Sequence, residues 1–155
     1  WTVSPKWQMP ETPPLSLMLM LAAGVAVLTG CVVMERLVRG LRQQRDAGLG
    51  AGFYLAAALG ALQVGLTGWA LWQAELAPTQ TSHDAVMLVG LVYALFHGGL
   101  AVVLTVLQGL RVGYGYVGAH APFEPGVVAL LWRYNVVTFG LLIGALAVLP
   151  RVLGG

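Results

Sequence analysis

The chain has 155 residues, of which 58% are hydrophobic and 9% are charged, and its formal net charge is +2. A soluble domain carries about 25% charged residues, so eight basic and six acidic side chains are too few to cover a soluble protein of this size. This composition excludes a soluble enzyme and a disordered chain, and the net charge is too small for a nucleic-acid-binding surface. An integral membrane protein is therefore predicted.

The first fourteen residues differ from the rest because four of them are prolines. Proline lacks a backbone donor and clashes with the preceding helical turn, so this segment is predicted not to be helical. It is predicted to be an extended arm or linker, residues 1–14, which precedes a transmembrane domain of residues 15–155.

Four apolar stretches follow one another along the rest of the chain. A helix needs about 20 apolar residues to cross a bilayer core of about 30 Å, and each stretch meets this length. They predict an all-α, multi-pass transmembrane bundle of four helices. The predicted spans are residues 15–38, 50–76, 85–110 and 126–149.

The basic residues are distributed unequally between the two sides of the predicted bundle. Six arginines lie on one side, whereas the loop of residues 75–84 between spans two and three has no Lys or Arg. The positive-inside rule places the arginine-rich side in the cytoplasm, so both termini are predicted on the outer, periplasmic side. The six arginines are Arg36, Arg39, Arg42, Arg45, Arg111 and Arg133.

A run of four arginines connects spans one and two. Juxtamembrane runs of this kind attract anionic lipid headgroups. Arg36, Arg39, Arg42 and Arg45 are therefore predicted to contact headgroups at the inner face, unless they only solvate the end of the helix. Glu35 precedes Arg39 by four residues, a spacing that favours an ion pair on one helix face.

His97 is the one ionisable residue deep within a predicted span, about 18 Å from its start at 1.5 Å per residue. Two interpretations stay open: a neutral imidazole that hydrogen-bonds a neighbouring helix, or a ligand or proton-carrying group. Gly98, which follows it, indicates close contact with another helix. The four-residue spacing typical of packed membrane helices also relates Gly109 to Gly113 and Gly140 to Gly144.

Polar and aromatic residues gather at the predicted inner face, where spans three and four meet. Arg133 lies about two turns into span four, where it either marks the headgroup level or pairs with Glu124 or with a carboxylate of a partner. The group is predicted to form a polar cluster that contacts lipid or a partner subunit. Its members are Arg111, His120, Glu124, Trp132 and Arg133.

No catalytic, cofactor-binding or metal-binding residue is expected on this chain. A b-type haem needs two axial ligands at matched depth, whereas His83 and His120 lie in loops on opposite sides of His97. The single cysteine, Cys31, forms neither an intrachain disulfide nor a cysteine metal site alone, and it is predicted to be a small buried residue.

Several motifs follow one another in an order that resembles the C-terminal four helices of subunit III of haem-copper terminal oxidases. PPLSLMLMLAAGVAV and GLGAGFYLAAALGAL resemble the family's fourth and fifth helices. Phe96-His97-Gly98 resembles that family's FHG, and Arg111 resembles the arginine that ends the same helix. The resemblance covers most of residues 13–149.

The last loop and the fourth span carry the remaining part of the resemblance. HAPFE, residues 120–124, and LLWRYNVV, residues 130–137, are similar to the family's HFGFE and YWHFVDVVW. The family's histidine in the second motif is Arg133 here and its aspartate is Val136, while its second histidine after FHG is Leu100. The chain looks similar to the shortened subunit III modules that are fused behind subunit I in some bacterial oxidases.

The resemblance implies a non-redox accessory subunit or domain of a cytochrome c oxidase-type respiratory complex in a bacterial inner membrane. Such a complex oxidises cytochrome c or quinol, reduces oxygen to water and pumps protons, with its haems and copper on partner subunits. The implied partners of this chain are oxidase subunits I and II, membrane phospholipids and, through the complex, cytochrome c. By family analogy, the module stabilises the catalytic subunit and supports proton uptake.

Two alternatives stay open. In the first, the chain is a b-type haem membrane anchor or electron carrier, which a haem absorption band retained by the purified chain would favour. In the second, the chain is an assembly or interaction subunit of another membrane complex, which copurification with a complex that does not reduce oxygen would favour.

Overall fold

A computed structural model describes residues 16–43, 48–74, 76, 78–79, 82–117 and 123–153 of the chain. Within these residues the chain forms four α-helices, each of them long and apolar enough to cross a membrane. The prediction of an all-helical chain with four helices long and apolar enough to span a membrane is confirmed, while the predicted arm of residues 1–14 lies outside the described residues. The helices are α1 (Leu17–Arg42), α2 (Leu49–Gln73), α3 (Ser82–Gly113) and α4 (Phe123–Leu153).

The helix ends follow from capping residues that the sequence supplies. Ser16 caps α1, where its Oγ accepts a hydrogen bond from a first-turn backbone N–H at 3.5 Å. After α3, Gly115 takes a left-handed backbone with φ of 75°, and the N–H of Tyr116 donates to the carbonyl of Arg111 at 2.9 Å. α3 extends beyond its predicted span at both ends, because Asp84 in its first turn and Arg111 in its last suit the helix dipole.

The helices form a ring in chain order, with α2 packed between α1 and α3 and α4 packed against both α1 and α3. In α1 the buried residues recur at helical spacing, as Met20, Val27, Met34 and Leu41 show. This stripe is the face that a helix turns towards a core. The opposite side of α1 is apolar as well, and Val25 there is 62% exposed. A helix that is apolar all round is typical of a membrane span.

Exposed aromatic residues lie at both ends of the bundle. Trp69 and Trp72 are 57% and 85% exposed near the end of α2, and Tyr114 and Tyr116 are 75% and 74% exposed just after α3. Aromatic belts of this kind mark the two interfaces of a membrane. We call the first the tryptophan end and the second the arginine end, after the last-turn arginines Arg39, Arg42 and Arg111.

Of the four glycines in the two predicted pairs, only Gly109 packs closely against another helix. Gly109 lies against Phe53 of α2, whereas Gly113, Gly140 and Gly144 have no neighbouring atom within 4 Å of the position that a Cβ would take. A four-residue spacing does not determine which face a helix turns inward. In α4 that face is determined instead by large buried aromatic residues.

Candidate functional site

The centre of the bundle is occupied by Trp132 of α4, which is 1% exposed. Its ring lies in a slot between glycines: a Cβ on Gly30 of α1 would lie 2.5 Å from Cη2 of the ring, and one on Gly60 of α2 would lie 3.1 Å from the same atom. Its Nε1 donates a hydrogen bond to Oγ1 of Thr105 on α3 at 2.9 Å. One side chain of α4 therefore contacts all three other helices.

This position corrects the prediction that Trp132 belongs to a cluster facing lipid or a partner. A buried indole N–H needs an acceptor. Thr105 supplies it, and its own hydroxyl donates to the carbonyl of Ala101 at 2.6 Å. The sequence shows small residues on two helices and a large aromatic residue on a third. These residues predict the arrangement only once it is known which sides of the helices face each other.

Two ion pairs join helices near the arginine end. Arg133 of α4 forms a bidentate pair with Glu35 of α1, in which Nε lies 2.5 Å from Oε1 and Nη2 lies 2.9 Å from Oε2. Nη1 of Arg111, at the end of α3, lies 2.6 Å from Oε2 of Glu124 in the first turn of α4. The forked geometry makes the Arg133–Glu35 pair the more specific of the two, and it holds α1 against α4.

The structure thus replaces the single predicted polar cluster with two separate pairs. Arg133 follows Glu124 by about two and a half helical turns, so the two side chains leave α4 on opposite sides. Glu35, for which the sequence favours a pair with Arg39 on the same helix, pairs with Arg133 instead. His120 lies outside the described residues.

A basic cleft of about 660 Å³ opens between α1 and α4 beside the Arg133–Glu35 pair. Its three arginines exceed its one carboxylate, so the cleft attracts anions, and its other walls are mostly aliphatic. This combination suits a phosphate group attached to a hydrocarbon chain. The lining residues are Glu35, Val38, Arg39, Arg42, Gly126, Val127, Ala129, Leu130 and Arg133.

The arginine run predicted to contact headgroups is divided between two sides of α1. Arg39 and Arg42 line the basic cleft. Arg36 lines a smaller cleft of about 320 Å³ on the other side of Glu35, which Arg39 also borders. Arg45 lies outside the described residues.

His97 lies on α3 where that helix meets α4, and it is partly exposed. Its Nδ1 is 3.0 Å from the carbonyl oxygen of Tyr93, so this nitrogen carries the proton that the carbonyl accepts. Its ring centroid lies 4.0 Å from that of Tyr93 and 5.5 Å from that of Tyr134 on α4, and the two tyrosine hydroxyls hydrogen-bond each other. The side-chain amide of Asn135 donates to the carbonyl of His97 at 3.3 Å.

The imidazole of His97 therefore bonds its own helix, and its backbone carbonyl, not its ring, receives the bond from α4. Neither Tyr93 nor Tyr134 is predicted to be a neighbour of His97, although the four-residue spacing of Tyr93 and His97 indicates such a contact. Gly98 lies against Gln63 of α2, where a Cβ would come within 2.6 Å of Oε1.

Among the residues that the structure describes, no group of three or more His, Cys, Asp or Glu side chains is placed to hold a metal ion. Cys31 is half-buried in α1 and has a free thiol. A scan against protein-family models finds no match, and a search of curated proteins finds no significant match. The residues of the candidate site join the helices, and they present charged and aromatic side chains at the outside of the bundle.

Exchanging the charges of the Arg133–Glu35 pair tests whether it joins α1 to α4. Arg133→Glu places two carboxylates together and is expected to lower the denaturant midpoint in detergent, followed by circular dichroism. The double variant Arg133→Glu with Glu35→Arg is expected to regain most of the loss. Arg36→Glu, an arginine charge reversal at an exposed position next to Glu35 on α1, is the control. A double variant no more stable than Arg133→Glu would show that the pair does not hold the helices together.

Proposed function

We propose that the chain is a non-redox accessory subunit or domain of a haem-copper terminal oxidase in a bacterial inner membrane. It packs beside the catalytic subunit, stabilises it and supports its proton uptake. The haems and copper of the complex belong to partner subunits, and cytochrome c or quinol supplies the electrons.

The proposal is supported by the positions, within the fold, of the residues that resemble the oxidase subunit. Gly98 of the FHG-like motif packs against α2, and the backbone carbonyl of His97 receives a hydrogen bond from α4. Arg111 and Glu124, from two further motifs, pair with each other across α3 and α4. The residues that carry the resemblance are thus residues that hold the helices together, as expected of a scaffold.

The arginine end faces the cytoplasm in this proposal, and both termini face the periplasm. The basic cleft between α1 and α4 then opens at the level of the cytoplasmic headgroups, where Arg39 and Arg42 lie, and extends inward to Arg133. Its arginines and aliphatic walls suit anionic phospholipids, which supports the prediction that Arg39 and Arg42 contact headgroups.

Affinity purification through a tag on this chain, from its native membrane in mild detergent, tests the proposal. The eluate is expected to contain a haem-bearing partner and to consume oxygen when reduced cytochrome c or quinol is supplied. Purification through a tag on an unrelated multi-pass protein of the same membrane is the control. Copurification with a complex that takes up no oxygen would contradict the proposal.

A further inference from the structure

Polar aromatic side chains reach the outer surface at the junction of α3 and α4, midway along the spans. His97 lies about 20 Å from the first residue of the span Asp84–Gly113, and Tyr134 lies about 15 Å from the first residue of the span Glu124–Ala145. Tyr93 and Tyr134 are 40% and 42% exposed. Ionisable residues at this depth almost always face a bundle interior or a cavity, so an outward position is unusual for a surface covered only by lipid.

The imidazole of His97 leaves an acceptor without a partner on this surface. Nδ1 donates to the carbonyl of Tyr93 at 3.0 Å, and in the tautomer that makes this bond the lone pair is on Nε2. Nε2 has no hydrogen-bond partner among the described residues, and it is not among their buried unpaired atoms, so it reaches the outside of the bundle. An unpaired polar atom is costly in hydrocarbon. The position therefore needs a hydrogen-bond donor from outside the described chain.

A shallow apolar groove of about 490 Å³ runs along α3 as far as Tyr93 and Phe96, whose rings lie against the ring of His97. It is lined by residues of this one helix at helical spacing, namely Leu88, Val89, Val92, Tyr93 and Phe96. Ridges and grooves at this spacing are what one helix presents to another, whereas small-molecule sites are concave and enclose most of their ligand. Val89 is 68% exposed and Phe96 is 67% exposed, so no other described helix covers this side of α3.

We propose that this α3 docking face, formed by Val89, Val92, Tyr93, Phe96 and His97, binds a transmembrane helix of a partner polypeptide. That helix donates a hydrogen bond from a Ser, Thr, Asn, Gln or Tyr side chain to Nε2 of His97. A phospholipid does not meet this need, because its acyl chains carry no donor and its headgroup lies at the interface. The inference rests on the proposed function, since the partner is a membrane-spanning subunit of the proposed complex.

Site-specific photocrosslinking in native membranes tests the docking face. A p-benzoylphenylalanine in place of Phe96 in the full chain is expected to crosslink to a membrane-spanning segment of a second polypeptide. Mass spectrometry is expected to find a donor side chain within one helical turn of the crosslinked residue. The matched control is the same group in place of Leu62, which is 52% exposed near the middle of α2 and outside the face. Its yield of polypeptide crosslinks is expected to be several-fold lower.

Two substitutions separate the hydrogen bond from the shape of the face. His97→Leu removes the acceptor, and the amount of partner retained after detergent extraction is expected to fall about threefold, which corresponds to the ~0.6 kcal/mol average of interhelical hydrogen bonds in a membrane. His97→Gln keeps an acceptor and is expected to retain the partner close to the level of the unchanged protein.

Four results would overturn the proposal: lipid adducts alone at position 96, a crosslink to a second copy of this chain, equal polypeptide yields at positions 96 and 62, or equal partner retention by His97→Leu and His97→Gln. A crosslink to a membrane subunit of a complex that does not reduce oxygen supports the docking face but contradicts the oxidase assignment. The docking face and the oxidase assignment can therefore be contradicted independently of each other.

Discussion

Replacing Trp132 with alanine is expected to lower the free energy of unfolding in detergent by about 3–5 kcal/mol, the usual cost of truncating a buried Trp. The indole fills the space between Gly30 and Gly60 and donates to Thr105. Alanine therefore removes contacts with three helices at once and leaves a cavity at the centre of the bundle. Reversible denaturation in mixed micelles, followed by circular dichroism, measures the change.

Trp72→Ala is the matched control for this prediction. Trp72 is 85% exposed at the tryptophan end, so its truncation is expected to change the free energy of unfolding by no more than about 0.5 kcal/mol. If Trp132→Ala and Trp72→Ala cost the same, Trp132 does not hold the bundle together.

Replacing Gly30 with leucine is expected to cost about 3 kcal/mol of unfolding free energy, at the upper end for overpacked cores. A Cβ at this position already meets the ring of Trp132, so a larger side chain displaces the indole and breaks its hydrogen bond to Thr105. The tryptophan fluorescence spectrum is expected to shift towards longer wavelengths in the same sample as water reaches the displaced ring.

Gly140→Leu is the control that separates crowding from the loss of a glycine. Gly140 is exposed, and nothing lies within 4 Å of where its Cβ would be. Because leucine favours a helix more than glycine does, this variant is expected to be as stable as the unchanged protein or slightly more stable. A loss at Gly140 as large as the loss at Gly30 would argue against the tight slot around Trp132.

The number and extent of the helices are readable from the sequence because the thickness of a membrane determines the length of an apolar span. The predicted span of residues 50–76 and the observed helix Leu49–Gln73 differ by at most three residues. Ends are predicted less well where polar or charged residues suit the terminal turns. α1 is the example, since it ends at Arg42, four residues beyond its predicted end at residue 38, with Arg39 and Arg42 in its last turn.

The contacts between the helices cannot be predicted from the sequence in the same way. Each helix is apolar on its outer as well as its inner side, so no polar stripe tells which face turns inward. The position of Trp132 near the inner end of the fourth predicted span indicates an aromatic residue at the membrane interface. In the structure, glycines of α1 and α2 make room for its ring in the core. Arg133 finds Glu35 because the fold brings α4 beside α1, a contact between residues far apart in the chain.

The described outer surface offers two chemically different sites on opposite sides of α4. The basic cleft on the α1 side suits an anionic headgroup at the arginine end, where Arg39 and Arg42 lie. The α3 docking face, with His97, suits a neighbouring helix at mid-depth. These are the two sites at which the proposed accessory subunit would contact lipid and a partner protein.

In the proposed complex this chain is a scaffold, and its partner carries the redox groups. The most direct measurement is the optical spectrum of the two fractions obtained when the tagged complex is purified and then dissociated. All haem absorbance is expected to leave with the partner fraction. A Soret band that stays with this chain, or a complex with no haem in either fraction, would contradict it.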